Sequence, residues 1–197
     1  MVDMKVTEIV FLLDRSGSMA GLERDTIGGF NAFMKKQSQF EGRTKVTVVL
    51  FDDQYEILWS GVQANNVRLT EKEYFVRGYT ALLDAVGKTI GDVRDRLSKT
   101  KEEERPEKVI FVITTDGQEN ASNEFTYEKV NELIKHQQEK HGWEFIFFGA
   151  NIDAIKEADS IGISNDNAYQ FEASKKGVEE MYCMASEAVI ERRDQRG

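Results

Sequence analysis

Asp14, Ser16 and Ser18 stand at alternate positions just past an apolar run, Ile9-Val10-Phe11-Leu12-Leu13. A carboxylate and two hydroxyls spaced this way on a tight turn can converge on one point. Such hard oxygen donors suit Mg²⁺ or Mn²⁺. A second carboxylate, Asp116, follows another apolar run, in Thr114-Thr115-Asp116-Gly117. If the two runs are neighbouring strands, the carboxylates face each other and repel, and a cation between them resolves the repulsion. A third segment, Arg77-Gly78-Tyr79-Thr80, precedes a helical pattern. Thr80 suits a helix N-cap and a hydroxyl ligand equally, and Gly78 lets the backbone approach closely.

The elements that must position these residues alternate along the chain. Val6 to Leu13, Val46 to Phe51, Lys108 to Ile113 and Glu144 to Phe148 read as strands, and Tyr169 to Phe171 as a short last one. Glu56 to Trp59 follows its predecessor after only Asp52-Asp53-Gln54, which predicts a hairpin and an antiparallel edge. Helical spacing covers Leu22 to Phe40, Ala81 to Leu97, Glu124 to Lys140 and Ile152 to Ala158, and Ser174 caps a final helix. Buried strands alternating with helices imply an open, mostly parallel sheet covered on both faces. Ligands bind such sheets beyond the carboxyl ends of the strands, where strand order reverses. The loops after Leu13, Ile113 and Phe148 are therefore the ones that matter. Asn151 and Asp153 lie at that end too, and serve equally to cap the next helix.

The chain has 197 residues, enough for one α/β domain, and no linker, repeat or low-complexity tract divides it. A single domain over residues 1–197 is expected. The formal net charge of −9 argues against a nucleic-acid partner. One cysteine, Cys183, rules out an internal disulfide and suits a reducing compartment. Met1-Val2-Asp3-Met4-Lys5 lacks the basic region of a leader, and no stretch is long enough to span a bilayer. The expectation is a soluble cytoplasmic protein without membrane or nucleic-acid partners. Cys183 reads as small packing, and His136 and His141 as surface residues.

Taken together, Asp14-x-Ser16-x-Ser18, Gly78-x-Thr80 and Thr115-Asp116-Gly117 resemble the metal-ion-dependent adhesion site of von Willebrand factor A domains, in order and in strand context. The resemblance runs from the first strand to the last helix. Gly117-Gln118-Glu119-Asn120-Ala121-Ser122 also resembles stand-alone microbial members. It implies an α/β, doubly wound, three-layer Rossmann-like fold with one antiparallel edge strand. It further implies that Ser16 and Ser18 ligate the metal directly, Thr80 directly or through water, and Asp14 and Asp116 largely through water. The implied cation is Mg²⁺ or Mn²⁺, and a partner protein's Asp or Glu completes its shell. Stand-alone members often work beside ATPases or in multi-protein complexes, which implies a partner of that kind. Two departures stand out. Tyr79 replaces a glycine of many members and builds a bulky rim, and Arg15 offers a positive rim contact to an acidic partner.

A second class of function is a metal-dependent hydrolase or phosphatase with Asp14 as nucleophile. Such enzymes usually carry a second Asp two positions on, where this chain has Ser16. Neither a Walker-type loop nor a dinucleotide fingerprint follows the first strand. Glu119 stays open as a general base. Without a fuller catalytic set, a metal-dependent protein-interaction module, not an enzyme, is the favoured reading.

Overall fold

The computed structural model describes residues 5–195. Met1 to Met4, on which the expectation about a leader rests, lie outside the described residues. One six-stranded sheet organises the rest: β1 (Val6–Asp14), β2 (Arg43–Phe51), β3 (Tyr55–Gln63), β4 (Lys108–Thr115), β5 (Glu144–Gly149) and β6 (Ala168–Gln170). Their order is β3-β2-β1-β4-β5-β6, with β3 antiparallel at one edge and the other pairings parallel. The helices are α1 (Glu23–Ser38), α2 (Leu82–Lys99), α3 (Tyr127–His141), α4 (Ala154–Ser160) and α5 (Lys175–Asp194). This is the α/β, doubly wound arrangement expected.

β1 shows why the pattern is so legible. Ile9, Phe11 and Leu13 point into one apolar cluster with residues of α1 and α5, while Val10 and Leu12 point into the other with residues of α2, α3 and α4. A strand buried on both faces must be apolar at every position, so it reads as a continuous run. Phe11 anchors the first cluster, edge-on to Phe30 and Phe33 and stacked on Tyr182. Within the body of the strand, Glu8 departs furthest from the rule. Glu8 is 0% exposed, accepts a hydrogen bond from Thr47 Oγ1 at 2.7 Å, and pairs with Arg96 of α2. A buried carboxylate tolerates its loss of water only with such partners, and here the pair pins α2 to the sheet.

Two expectations need correction. β3 extends to Gln63 rather than ending at Trp59, because register shifts against β2 between Val46 and Val49 disturb the alternation that marks a strand. Cys183 is exposed on α5, one position past the buried Tyr182, and is not packed inside.

Strand order reverses at β1. From it the chain passes to β2 on one side and later to β4 on the other. Leu13 pairs with Thr114, so Asp14 and the Thr115-Asp116 step leave the sheet side by side. The α1–α5 contact below them is close. A Cβ on Gly29 would lie 2.3 Å from the Tyr182 ring, whereas one on Gly28 meets nothing within 4 Å. Gly29→Ala should therefore destabilise the protein by about 1–3 kcal/mol through overpacking. Gly28→Ala should stabilise it by up to about 1 kcal/mol through helix propensity. Urea unfolding of the two variants checks this, and effects of equal sign would contradict the packing described.

Candidate metal centre

Asp14 ends β1 with only 2% of its surface exposed. Both carboxylate oxygens are engaged. Ser16 N–H donates to Oδ1 at 2.7 Å, while Thr115 Oγ1 and Asp116 N–H donate to Oδ2 at 2.7 and 3.3 Å. The side chain thus ties the loop after β1 to the loop after β4. A 3₁₀ turn over Gly17–Met19, anchored by the buried Met19, brings Ser18 back over Ser16, with their Oγ atoms 3.0 Å apart. Ser18 Oγ in turn donates to Asp116 Oδ1 at 2.5 Å.

Thr80 joins them from the third loop. Its N–H donates to Asn120 Oδ1 at 2.8 Å, and Asn120 N–H donates back to Thr80 O at 3.0 Å. The Thr80 hydroxyl is not the cap of α2. Leu83 N–H donates instead to Glu119 Oε2 and Asp84 N–H to Ser122 Oγ, each at 2.9 Å. A Cβ on Gly117 would lie 3.4 Å from Ser18 Oγ and 3.5 Å from Thr80 Oγ1, so these hydroxyls border one small space beside residue 117. All five residues picked out from sequence are brought together.

The neighbours of the five are sorted differently from expectation. Arg15 is no rim contact. It is 1% exposed, with Nε 3.5 Å from Asp52 Oδ2 and Nη1 2.7 Å from Glu56 Oε2. A charge next to the motif turns inward because the β2–β3 turn and β3 carry carboxylates that meet it there. Arg77 Nε reaches the same Asp52 oxygen at 2.8 Å. Glu119 is spent on structure, accepting from Leu83 N–H, Ala121 N–H, Ser122 N–H and Ser122 Oγ–H. Asn151, at φ 56°, donates from Nδ2 to Asp116 O at 3.2 Å, whereas Asp153 caps α4 by accepting from Lys156 N–H.

Several supporting residues escaped sequence reading. Tyr74 OH donates to Asp14 O at 2.7 Å. Asp84 accepts the N–H groups of Asn123, Glu124 and Phe125, fixing the segment after Asp116. Gly78 sits at φ +69° with Asp53 Oδ1 only 1.9 Å from where a Cβ would be, so only glycine fits. The paired acids Asp52-Asp53 in a hairpin turn were the visible hint of this platform.

The two carboxylates are electrostatically strained by burial. Burial pushes the Asp116 carboxyl up to about 6; the Asp14 charge adds to this, and the Ser18 hydrogen bond opposes it. Burial also raises Asp14, against the hydrogen bonds from Ser16 and Thr115. Asp116 Oδ2 is buried without a hydrogen-bond partner. The donors are all oxygens, three hydroxyls and two carboxylates. Among the described residues no group of three or more His, Cys, Asp or Glu side chains could hold a metal. A hard divalent ion fits this set, and the orphaned oxygen is where such an ion would offset buried charge.

Residues 8–182 match the von Willebrand factor type A domain. The chain belongs to that family. No curated protein matches it in sequence. Among solved structures it is similar to proximal thread matrix protein 1 from the mussel byssus with a zinc-occupied MIDAS (metal-ion-dependent adhesion site) motif, at 18% identity and TM-score 0.63, covering 95% of this chain and 46% of that one. It is also similar to the pilus adhesin SpaC from Lactobacillus rhamnosus GG, at 14% identity and TM-score 0.65, covering 95% and 30%. A variant of the PilB minor pilin from Streptococcus sanguinis matches at 11% identity and TM-score 0.60, covering 94% and 61%. This chain thus spans less than two thirds of each of these proteins, and the likeness is one of fold.

The raised Asp116 has a consequence for stability. Without a cation, the folded protein keeps this proton up to about pH 6, while an unfolded chain releases it near pH ~4. Stability therefore declines as pH rises through that window. Asp116→Asn should stabilise the cation-free protein at pH 7, with the gain vanishing toward pH 4. Thermal unfolding in EDTA across that range checks this, and a pH-independent gain would contradict it.

Proposed function

We propose that this chain, acting as one domain over residues 1–197, is a divalent-cation-dependent protein-interaction module. Asp14, Ser16, Ser18, Thr80 and Asp116 would hold Mg²⁺ or Mn²⁺. The observation that carries the reading is the convergence of five oxygen-bearing side chains from three loops, one of which, Asp116, keeps a buried Oδ2 without a hydrogen-bond partner. When bound, the cation supplies a centre of positive charge for an anionic oxygen. Asp14 is saturated by donors from its own loops, so it orients Ser16 and Thr115 and leaves the hydroxyls as the outward donors. Neutral hydroxyls compensate little of the cation's charge. The site therefore favours one further carboxylate, the Asp or Glu of a partner protein.

Mg²⁺ or Mn²⁺ suits an all-oxygen set better than the zinc of the mussel protein's site. The partner fits the class of an ATPase or a component of a multi-protein complex, as for stand-alone members of the family. Binding without turnover is supported by Glu119, whose carboxylate is held by four hydrogen bonds, and by the surface placement of His136 and His141. No helix among the described residues is long and apolar enough to cross a membrane. A cytoplasmic setting is part of the proposal and rests on the single cysteine.

Calorimetric titration with Mn²⁺ and Mg²⁺ tests the cation site. One ion should bind, and Ser16→Ala with Ser18→Ala should weaken it about 10–100-fold, the scale seen for disturbed metal sites. Asp14→Ala should do the same without contributing a direct ligand. Unchanged affinity in both variants would overturn the assignment.

A further inference from the structure

We infer that Phe75, Arg77 and Tyr79 form a docking strip beside the cation site. Its occupant would be a partner-protein segment whose metal-binding Asp or Glu has a large apolar side chain within two residues. This rests on the cation-site reading above and adds what lies next to the carboxylate.

Exposure is the first observation. Tyr79 is 69% exposed and Phe75 45% exposed, and both belong to the segment that delivers Thr80. The second is rigidity. Tyr74 OH is bound to Asp14 O, Arg77 N–H donates to Arg15 O at 2.9 Å, Arg77 Nε pairs with Asp52, Tyr79 N–H donates to Asp53 Oδ1 at 3.3 Å, and Thr80 N–H donates to Asn120. The Phe75 ring lies near two guanidiniums, with Arg15 Cζ 5.7 Å and Arg77 Cζ 5.4 Å from its centroid. Exposed aromatics on a fixed segment lose little freedom on binding, and Tyr, Phe and Arg are the side chains that dominate buried contacts between proteins.

Position and charge select the occupant. Tyr79 is the immediate neighbour of Thr80, so its Cα lies about 3.8 Å from that of a proposed ligand residue. A residue next to the metal-bound acid on a partner is therefore within reach of the Tyr79 ring. Arg77 is paired with Asp52, so the positive charge at this edge would come from the bound cation, which on a chain of net charge −9 favours an acidic segment here over the rest of the surface. Across the site, the exposed residues Gln118, Asn120 and Asn151 are uncharged and polar.

Panning a random peptide library displayed on phage against the full chain in Mn²⁺ tests this, followed by titration of the best synthetic peptide. Enriched sequences should carry Asp or Glu with an aromatic or large aliphatic residue within two positions. EDTA should abolish binding. Tyr79→Ala should weaken it about tenfold, while Tyr79→Phe and Ile57→Ala, an exposed apolar control on β3, should leave it within twofold. Acidic peptides with no apolar neighbour and no effect of Tyr79→Ala would overturn the strip while leaving the cation reading intact. Binding that survives EDTA would overturn the cation reading itself, and the failure of any peptide to enrich would overturn the strip.

Discussion

The Asp14 carboxylate is buried at the point where strand order reverses, and it is satisfied wholly by donors from its own loops. A buried carboxylate needs such partners to avoid a large desolvation penalty. Meeting that need fixes the path of the β1 loop through Ser16 N–H and the start of the β4 loop through Thr115 and Asp116. The turn this fixes places the Ser16 hydroxyl against that of Ser18, which in turn donates to Asp116. A separate contact draws in the Thr80 segment, since Tyr74 OH donates to the backbone carbonyl of Asp14. A second buried carboxylate, Asp116, is left incompletely matched beside it.

A separate balance of charge supports it from the side. Asp52, fully buried, lies between Arg15 and Arg77, and Arg15 also meets Glu56. These groups join the β2–β3 turn to two of the three site loops. Asp53 adds the requirement for glycine at position 78. The rim that carries Tyr79 therefore moves only if this ion cluster moves. Rigid loops on a parallel sheet are what a site of several small donors needs, because each hydroxyl contributes little alone and must already be in place.

Much of this was legible in the sequence. β1 and β4 were plain because burial on both faces demands apolar side chains throughout. The grouping of Asp14, Ser16 and Ser18 was plain because a tight turn after such a strand leaves few ways for alternate oxygens to point, while Thr80 and Asp116 stood out through the family resemblance. The rest depended on contacts distant in the chain. Arg15 looks like a solvated turn residue until the β2–β3 turn and β3 bring carboxylates to it. Glu119 looks like a base until the first turn of α2 claims it. Glu8 is masked inside an apolar run because its partner, Arg96, lies on a helix far along the chain. The full length of β3 is masked by the register shifts that bend it.

The central claim is that these loops enclose one divalent cation. Crystals grown with Mn²⁺ and measured for anomalous scattering at the manganese edge test it most directly. The account predicts a single strong peak bordered by Ser16, Ser18, Thr80 and Asp116. A map with no peak there, or with manganese bound only elsewhere on the acidic surface, would contradict it.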